Sequence, residues 1–240
     1  MDITIALTYL QIELNKLNGR TPRSEISVVA ISRAIQILNY LYDQERTTYS
    51  QSEYVEVIAN IETGIEVGSS LDFIENHEFL QELQIQFLTR MTSYVITVCN
   101  LNGILTKAYE KLVKLAEDVS LEAIFPDKSY GKQRKKEVGN YYQWRNKVFA
   151  HTAFASPIKK DSEGTQEASA FYYAGTGIHL GKECMSIKGT IQVVWGVEAI
   201  QLPELSIVGH HEQVMDYCKK WENMFSKALD KLNKELSQAD

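Results

Sequence analysis

The chain has 240 residues, of which 44% are apolar and 23% charged, with 13 glycines and 4 prolines. Such proportions exclude a largely disordered chain, and the length suits one domain, or one domain with an insertion. No run approaches the roughly 18 apolar residues that a membrane span requires, and a net charge of −6, if evenly spread, would argue against nucleic-acid binding.

The N-terminus, "MDITIALTYLQIELNK", has an acid at position 2, no early basic cluster and no small-residue cleavage site, so no signal peptide is expected there. Cys99, Cys184 and Cys218 are odd in number, far apart and outside any C-x-x-C pair. They read as free thiols rather than a disulfide framework or a zinc site, and the expected compartment is the cytoplasm.

Most of the first 150 residues read as helix. "SEISVVAISRAIQILNYLYDQE" presents a broad apolar face (Ile26, Val29, Ala30, Ile37, Leu38, Leu41), with Pro22 and Ser24 as start signals. A second helix is expected from Ser52 to about Val67, on the stripe Val55, Ile58, Ala59, Ile61 and Ile65, and is broken by Gly68-Ser69-Ser70. A third runs from about Glu78 to Asp118, continuous or bent near Asn102-Gly103; its β-branched patch "YVITVC" is flanked by helical period on both sides. Pro126 and Gly131 punctuate a loop at about 124–131, and a helix is expected from about 132 to 152.

After His151 the character changes. "SPIKKDSEGTQ" is loop-like, and the stretch 168–200 has β-rich runs such as "AFYYA" and "IQVVW", which predict two or three short strands. The last segment has a helical stripe of Val214, Tyr217, Cys218, Trp221, Met224, Phe225, Ala228, Leu229 and Leu232. No internal repeat is visible. The expected fold is mainly α: a single helical-bundle domain over 1–240 with a small β hairpin or sheet inserted before its last helix.

Charge is concentrated in one place. Between Asp127 and Lys147, seven bases (Lys128, Lys132, Arg134, Lys135, Lys136, Arg145 and Lys147) face two acids, a local +5 that leaves −11 for the rest. This is either an anion site or a solvated helix face beside a loop. Next to it stands "YYQWRNKVFAHT". On a helix each residue advances about 100°, so Trp144, Lys147 and His151 form one stripe, whereas Arg145 and His151 stand about 240° apart. For both to act on one ligand the arginine stem must curl round, the helix must end near His151, or a second subunit must bring its own copy. The alternative roles are a salt bridge for Arg145 and a helix C-terminus closed by His151.

"RNKVFAH" resembles the signature of the HEPN superfamily, the higher-eukaryote and prokaryote nucleotide-binding domains. These are helical bundles with an R-x(4–6)-H motif and often a polar residue after the arginine. Arg145, Asn146 and His151 match those positions, and the phrase is most like HEPN proteins of abortive-infection and toxin–antitoxin systems. The resemblance covers about a dozen residues. It implies a metal-independent endoribonuclease with no cofactor, acting in phage defence or as a toxin, with RNA as substrate, a homodimer bringing two motifs together, and an antitoxin protein as partner. His151 would be the base, since an unperturbed histidine titrates near 6.5. Arg145 would clamp the phosphorane with its planar, always-charged fork, and Asn146 would orient the phosphate or the imidazole. Lys128, Lys132, Arg134, Lys135, Lys136 and Lys147 would hold flanking phosphates. The alternatives are a non-catalytic module of the same kind that binds RNA, nucleotide or protein, and a plain helical interaction protein with the terminal stripe as its dimer seam.

Other candidates read as structural. His210-His211-Glu212 is expected to open and cap a helix rather than bind metal, because adjacent helical residues point about 100° apart. His77, beside acids, reads as surface or capping, and His179 has no visible partner. "GTGIHLG" lacks the G-x-G-x-x-G spacing and reads as turns, and Trp221 to Phe225 read as core.

Overall fold

The computed structural model describes residues 2–21, 28–51, 54–55, 70–149, 172–180, 184–193 and 199–239. Its elements are α1 (Ile3–Leu17), α2 (Val28–Tyr49), α3 (Ser70–Glu117), a 3-10 turn (Glu122–Ile124), α4 (Tyr130–Glu137), α5 (Gly139–Trp144), a π-helical turn (Arg145–Phe149), β1 (Tyr172–Leu180), β2 (Met185–Val193), β3 (Ala199–Leu205) and α6 (Ile207–Ala239). The protein is therefore mainly helical, with a small three-stranded antiparallel sheet before the last helix. Among the described residues no helix is long and apolar enough to cross a membrane.

The chain groups into two compact units, one of Met1–Asn39, Thr97–Gly139 and His211–Asp240 and one of Tyr40–Ile96 and Asn140–His210. In the first unit α1 opens with Asp2 as its N-cap and closes with Asn18 as its C-cap. Gly19, at φ +65°, lets the backbone N–H groups of Gly19 and Arg20 reach back to the carbonyls of Lys16 and Asn15, the hydrogen-bond pattern of a Schellman motif. The Asn18 amide donates to Leu14 and Leu115 carbonyls and so ties α1 to α3. α3 ends the same way with Ser120 at φ 59° and Leu121 N–H on the Ala116 carbonyl. All nine apolar positions of the α6 stripe are buried, each such side chain contributing about 1.5–3 kcal/mol of burial for the larger aliphatics and aromatics.

The second unit holds the sheet, in the order β1-β2-β3. β1 pairs with β2 so that Thr176 faces Gly189, Ile178 faces Ile187 and His179 faces Ser186. Between β2 and β3 the register slips from Ile187↔Leu205 to Gly189↔Leu202, a bulge that sets two residues, Pro203 and Glu204, against Lys188. Pro203 is tolerated because β3 is an edge strand.

Three boundaries differ from the sequence reading. The long helix starts at Ser70, not Glu78, and runs through Asn102-Gly103 without interruption; no proline or glycine stands between 70 and 78 to stop it. The helix expected over 132–152 is three pieces, because α4 caps at Val138 before Gly139 and the winding changes again at Arg145. "GTGIHLG" is not a set of turns: Gly175 to Leu180 lie in β1, paired along β2. The helix expected at 52–67 falls outside the described residues except for helical Tyr54 and Val55, and Pro22, Ser24 and the loop after His151 also lie outside them.

Candidate functional site

Five of the seven clustered bases, Lys128, Lys132, Arg134, Lys135 and Lys136, lie in the first unit, on and just before α4, and form a basic island there. Tyr130, Arg134 and Glu137 occupy one helical face at i, i+4 and i+7, on which Tyr130 and Arg134 are half-buried and Glu137 is exposed at the rim. Tyr130 packs edge-on against Trp221, with centroids 5.3 Å apart, and sits 5.6 Å from Tyr109. The Arg134 guanidinium lies 5.1 Å over the Tyr130 ring and pairs with Glu137 at 2.6 Å, and Glu137 in turn meets Lys220 at 3.1 Å. Lys132, Lys135 and Lys136 are exposed on the opposite side. Lys128 precedes the helix and pairs with Glu117, which raises its pKa. Of these five cations, Lys128 pairs with Glu117 and Arg134 with Glu137, while the backbone of α4 leaves Lys132, Lys135 and Lys136 exposed.

Arg145 and Asn146 lie in the second unit, in the turn that follows α5. Trp144, the last residue of α5, is fully buried. Its indole N–H donates to the Pro203 carbonyl of β3 at 2.6 Å, and its ring stacks on Phe149 with centroids 5.8 Å apart and planes at 25°. Residues five apart on an α-helix would diverge by about 140°, so this stack depends on the wider π-helical turn. Arg145 is half-buried and Asn146 exposed. Among the described residues nothing pairs with the Arg145 guanidinium. The 100° step behind the sequence comparison of Arg145 with His151 does not hold through this turn. His151 lies outside the described residues, as does the Lys147 side chain.

A second cluster in this unit went unseen in the sequence. Glu45 of α2 is fully buried; it takes the Arg90 Nε–H from α3 and the Tyr49 hydroxyl from its own helix. Arg90 also reaches Thr48 and Gln86, each at 3.4 Å, and the Tyr49 oxygen accepts the Met185 backbone N–H at 2.9 Å, which moors the start of β2 to α2. Burial, and then the Glu45 carboxylate, push the Tyr49 hydroxyl far above its ordinary pKa. Tyr54, 5.2 Å from Tyr49 ring to ring, is pushed up to about 12, by burial first and then by Cys184 and Glu45. The signal was present: Ile31, Ala34, Leu38, Leu41, Glu45 and Thr48 step by three and four along the buried face of α2, which puts an acid on a core stripe. Every polar group here has a partner, as buried charge requires, and the cluster is structural.

The remaining candidates resolve simply. Ser206 caps α6 by accepting the Gly209 N–H at 3.2 Å, and the His210 ring accepts the Ser206 N–H at 3.1 Å, so this histidine caps the helix. His211 is buried and bonds Asn39 at 3.2 Å. His179 is exposed on β1, and His77 lies within α3. Glu204 of β3 accepts from Ser186 and pairs with Lys188 at 3.1 Å, contacts that lower its pKa, the Ser186 hydroxyl foremost. Cys99 and Cys218 are buried thiols and Cys184 a half-buried one. Among the described residues no three His, Cys, Asp or Glu side chains gather as a metal site would require.

Fold and site together define a mainly helical chain with a basic helix in one unit and a sheet-anchored arginine turn in the other. Comparison with family models, with curated proteins and with solved structures finds no match to it.

Proposed function

We propose that the chain is a metal-independent endoribonuclease of the HEPN kind, working in the cytoplasm in phage defence or as a toxin. The observation that carries this reading is the Arg145 guanidinium. It heads the R-N-K-V-F-A-H phrase, sits half-buried in a π-helical turn, and has no partner among the described residues. Turns of this kind recur at functional sites, and an arginine held without an acid is ready for a phosphate. In the reaction, the 2′-hydroxyl of RNA gives its proton to His151 and attacks the adjacent phosphorus. Arg145 binds the equatorial oxygens of the phosphorane and Asn146 orients the phosphate. The bond to the 5′-oxygen breaks, and that oxygen takes a proton from an acid, for which the His151 of a second copy serves. The products are a cyclic phosphate and a 5′-hydroxyl. Lys132, Lys135 and Lys136, exposed on one side of α4, supply contacts to flanking phosphates.

The test is RNA cleavage in EDTA by the wild type, His151→Ala, Arg145→Ala and Arg145→Lys. Loss of the base should cost about 10²–10⁴-fold and loss of the clamp about 10²–10³-fold. The double variant should lose little more, because groups acting on one transition state behave as a unit. Lysine should not rescue, since an ammonium lacks the two-pronged fork. Cleavage that survives both alanine variants, or that chelator abolishes, refutes the reading. RNA binding without any cleavage transfers the lead to a non-catalytic binding module. Expression of the wild type should arrest cell growth and His151→Ala should not. A strict monomer in sedimentation at micromolar concentration would remove the two-copy acid.

A further inference from the structure

We infer that the three-stranded sheet is the positioning element of the Arg145–Phe149 turn, and that it acts through Trp144. The indole enters a slot shaped on two sides by backbone. On β3 the Pro203 carbonyl, at the bulge, takes the indole N–H at 2.6 Å. On β2 the slot exists because residue 189 is glycine. A Cβ there would lie 2.7 Å and 3.2 Å from Cη2 and Cζ3 of Trp144 and 3.1 Å from Cδ1 of Leu202. The two indole atoms belong to a rigid ring with no exposure, so the indole cannot swing aside without giving up its hydrogen bond. Phe149 stacks on that same ring. The turn is thus gripped at its last residue and at the residue before its first, both through one indole. Arg145 is bonded directly to the gripped residue, and no contact within the turn is needed to explain its placement. The sheet itself is moored to α2 through Met185 and Tyr49, so the grip extends to a long helix. Trp144 and Gly189 are positioning residues, and neither would touch substrate.

The experiment compares Gly189→Ala, Trp144→Phe and the double variant in the full chain, by hydrogen exchange at backbone amides and by cleavage kinetics. The kinetic arm rests on the ribonuclease reading; the exchange arm does not. Gly189→Ala should speed exchange at residues 145–149 by about tenfold or more while leaving α6 unchanged. It should lower kcat by up to about 10²-fold, as misplacement of about 1 Å does, with KM nearly unmoved. A phenyl ring stops short of the positions of Cη2 and Cζ3. In the Trp144→Phe background, therefore, adding Gly189→Ala should do almost nothing further to exchange or kcat, a coupling that general destabilisation would not produce. Equal harm from Gly189→Ala in both backgrounds would overturn the inference, as would exchange that rises evenly over the whole chain. If Gly189→Ala alone fails to fold, recovery in the double variant supports the inference and failure of the double overturns it. If the wild type does not cleave RNA, the ribonuclease reading falls, and exchange at 145–149 still decides this one.

Discussion

Each unit is built round a tryptophan with no exposure, and the two are held differently. Trp221 in the first unit meets four rings: Tyr109, Tyr130, Tyr217 and Phe225, at 5.9, 5.3, 6.5 and 5.6 Å. Its indole N–H has no hydrogen-bond partner among the described residues. Trp144 in the second unit has one stacked ring, one short hydrogen bond and a glycine in place of a wall. Around Trp221 stabilisation comes from area and dispersion, which many shapes of side chain supply. Around Trp144 it comes from matched polar groups and a missing Cβ, which few substitutions preserve. The second unit repeats that style at Glu45, where a buried carboxylate is answered by Arg90 and Tyr49. The basic helix α4 therefore rests on a tolerant support and the Arg145 turn on an exacting one.

The largest test of that contrast is Arg90→Leu. It strands the fully buried Glu45 carboxylate, so urea unfolding should show a loss of about 3–5 kcal/mol. Replacing both partners, Glu45→Leu with Arg90→Leu, should recover most of it, because no buried charge is then left alone. A double variant as unstable as the single would mean that the pair matters for packing and not for charge.

Next in size is the same substitution at both tryptophans. Trp144→Phe strips the Pro203 carbonyl of its donor, a loss of about 1–3 kcal/mol beyond the smaller ring. Trp221→Phe loses the same part of its ring and leaves a similar cavity but breaks no hydrogen bond, so it should cost less than Trp144→Phe by about 1–3 kcal/mol. Thermal or urea unfolding of the two variants reads the difference directly, and equal costs would erase the distinction between the units.

The same contrast governs what is legible in the sequence. The α6 stripe is legible residue for residue, since an unbroken helical period over 33 residues is a local signal. So is the β insertion before it. The parts that mislead are those that distant contacts decide. Gly175 and Gly177 look like turn residues and are strand residues because β2 pairs with them. The π-helical turn has no local mark; it goes with the stack of Phe149 on Trp144, whose slot is made by residues 45 and 59 positions away. Arg134 counts in the sequence as one more cation of the island, yet its i, i+4, i+7 relation with Tyr130 and Glu137 turns it inward, and that spacing is itself a sequence signal.

That difference between Arg134 and its neighbours gives the third test, an RNA-binding titration against salt. Lys132→Glu, Lys135→Glu and Lys136→Glu together should weaken binding. They should also flatten the salt slope by about 0.7 for each phosphate no longer neutralised on a single strand, or about 0.9 on duplex. Lys128→Glu should do less, because Glu117 already holds that ammonium. Arg134→Gln should alter stability more than affinity. Equal effects at all five positions would show that the inward and outward faces of α4 do not differ in function.

The smallest test concerns the end of the first unit where a single carboxylate holds a helix. Asp2 caps α1 by accepting the Thr4 backbone N–H at 2.7 Å and the Thr4 hydroxyl at 2.8 Å. Those bonds, the backbone one foremost, hold its carboxyl below the usual aspartate range. A folded pKa below the unfolded one means that the charged form stabilises. The contribution is complete above the unfolded value near 3.9 and is lost as pH falls through the folded one. Asp2→Ala should cost about 1 kcal/mol near neutrality. The gap between Asp2→Ala and wild type should stay flat above about pH 5 and narrow below about pH 4. Asp2→Asn keeps an acceptor oxygen without the charge. Its stability should fall between the two at neutral pH, and the gap between it and Asp2→Ala should not narrow in acid. Taking differences between variants cancels the titration of every other carboxylate, so the comparison isolates this one cap. A gap that ignores pH would mean that the cap works through its hydrogen bonds alone and that its charge adds nothing to the helix.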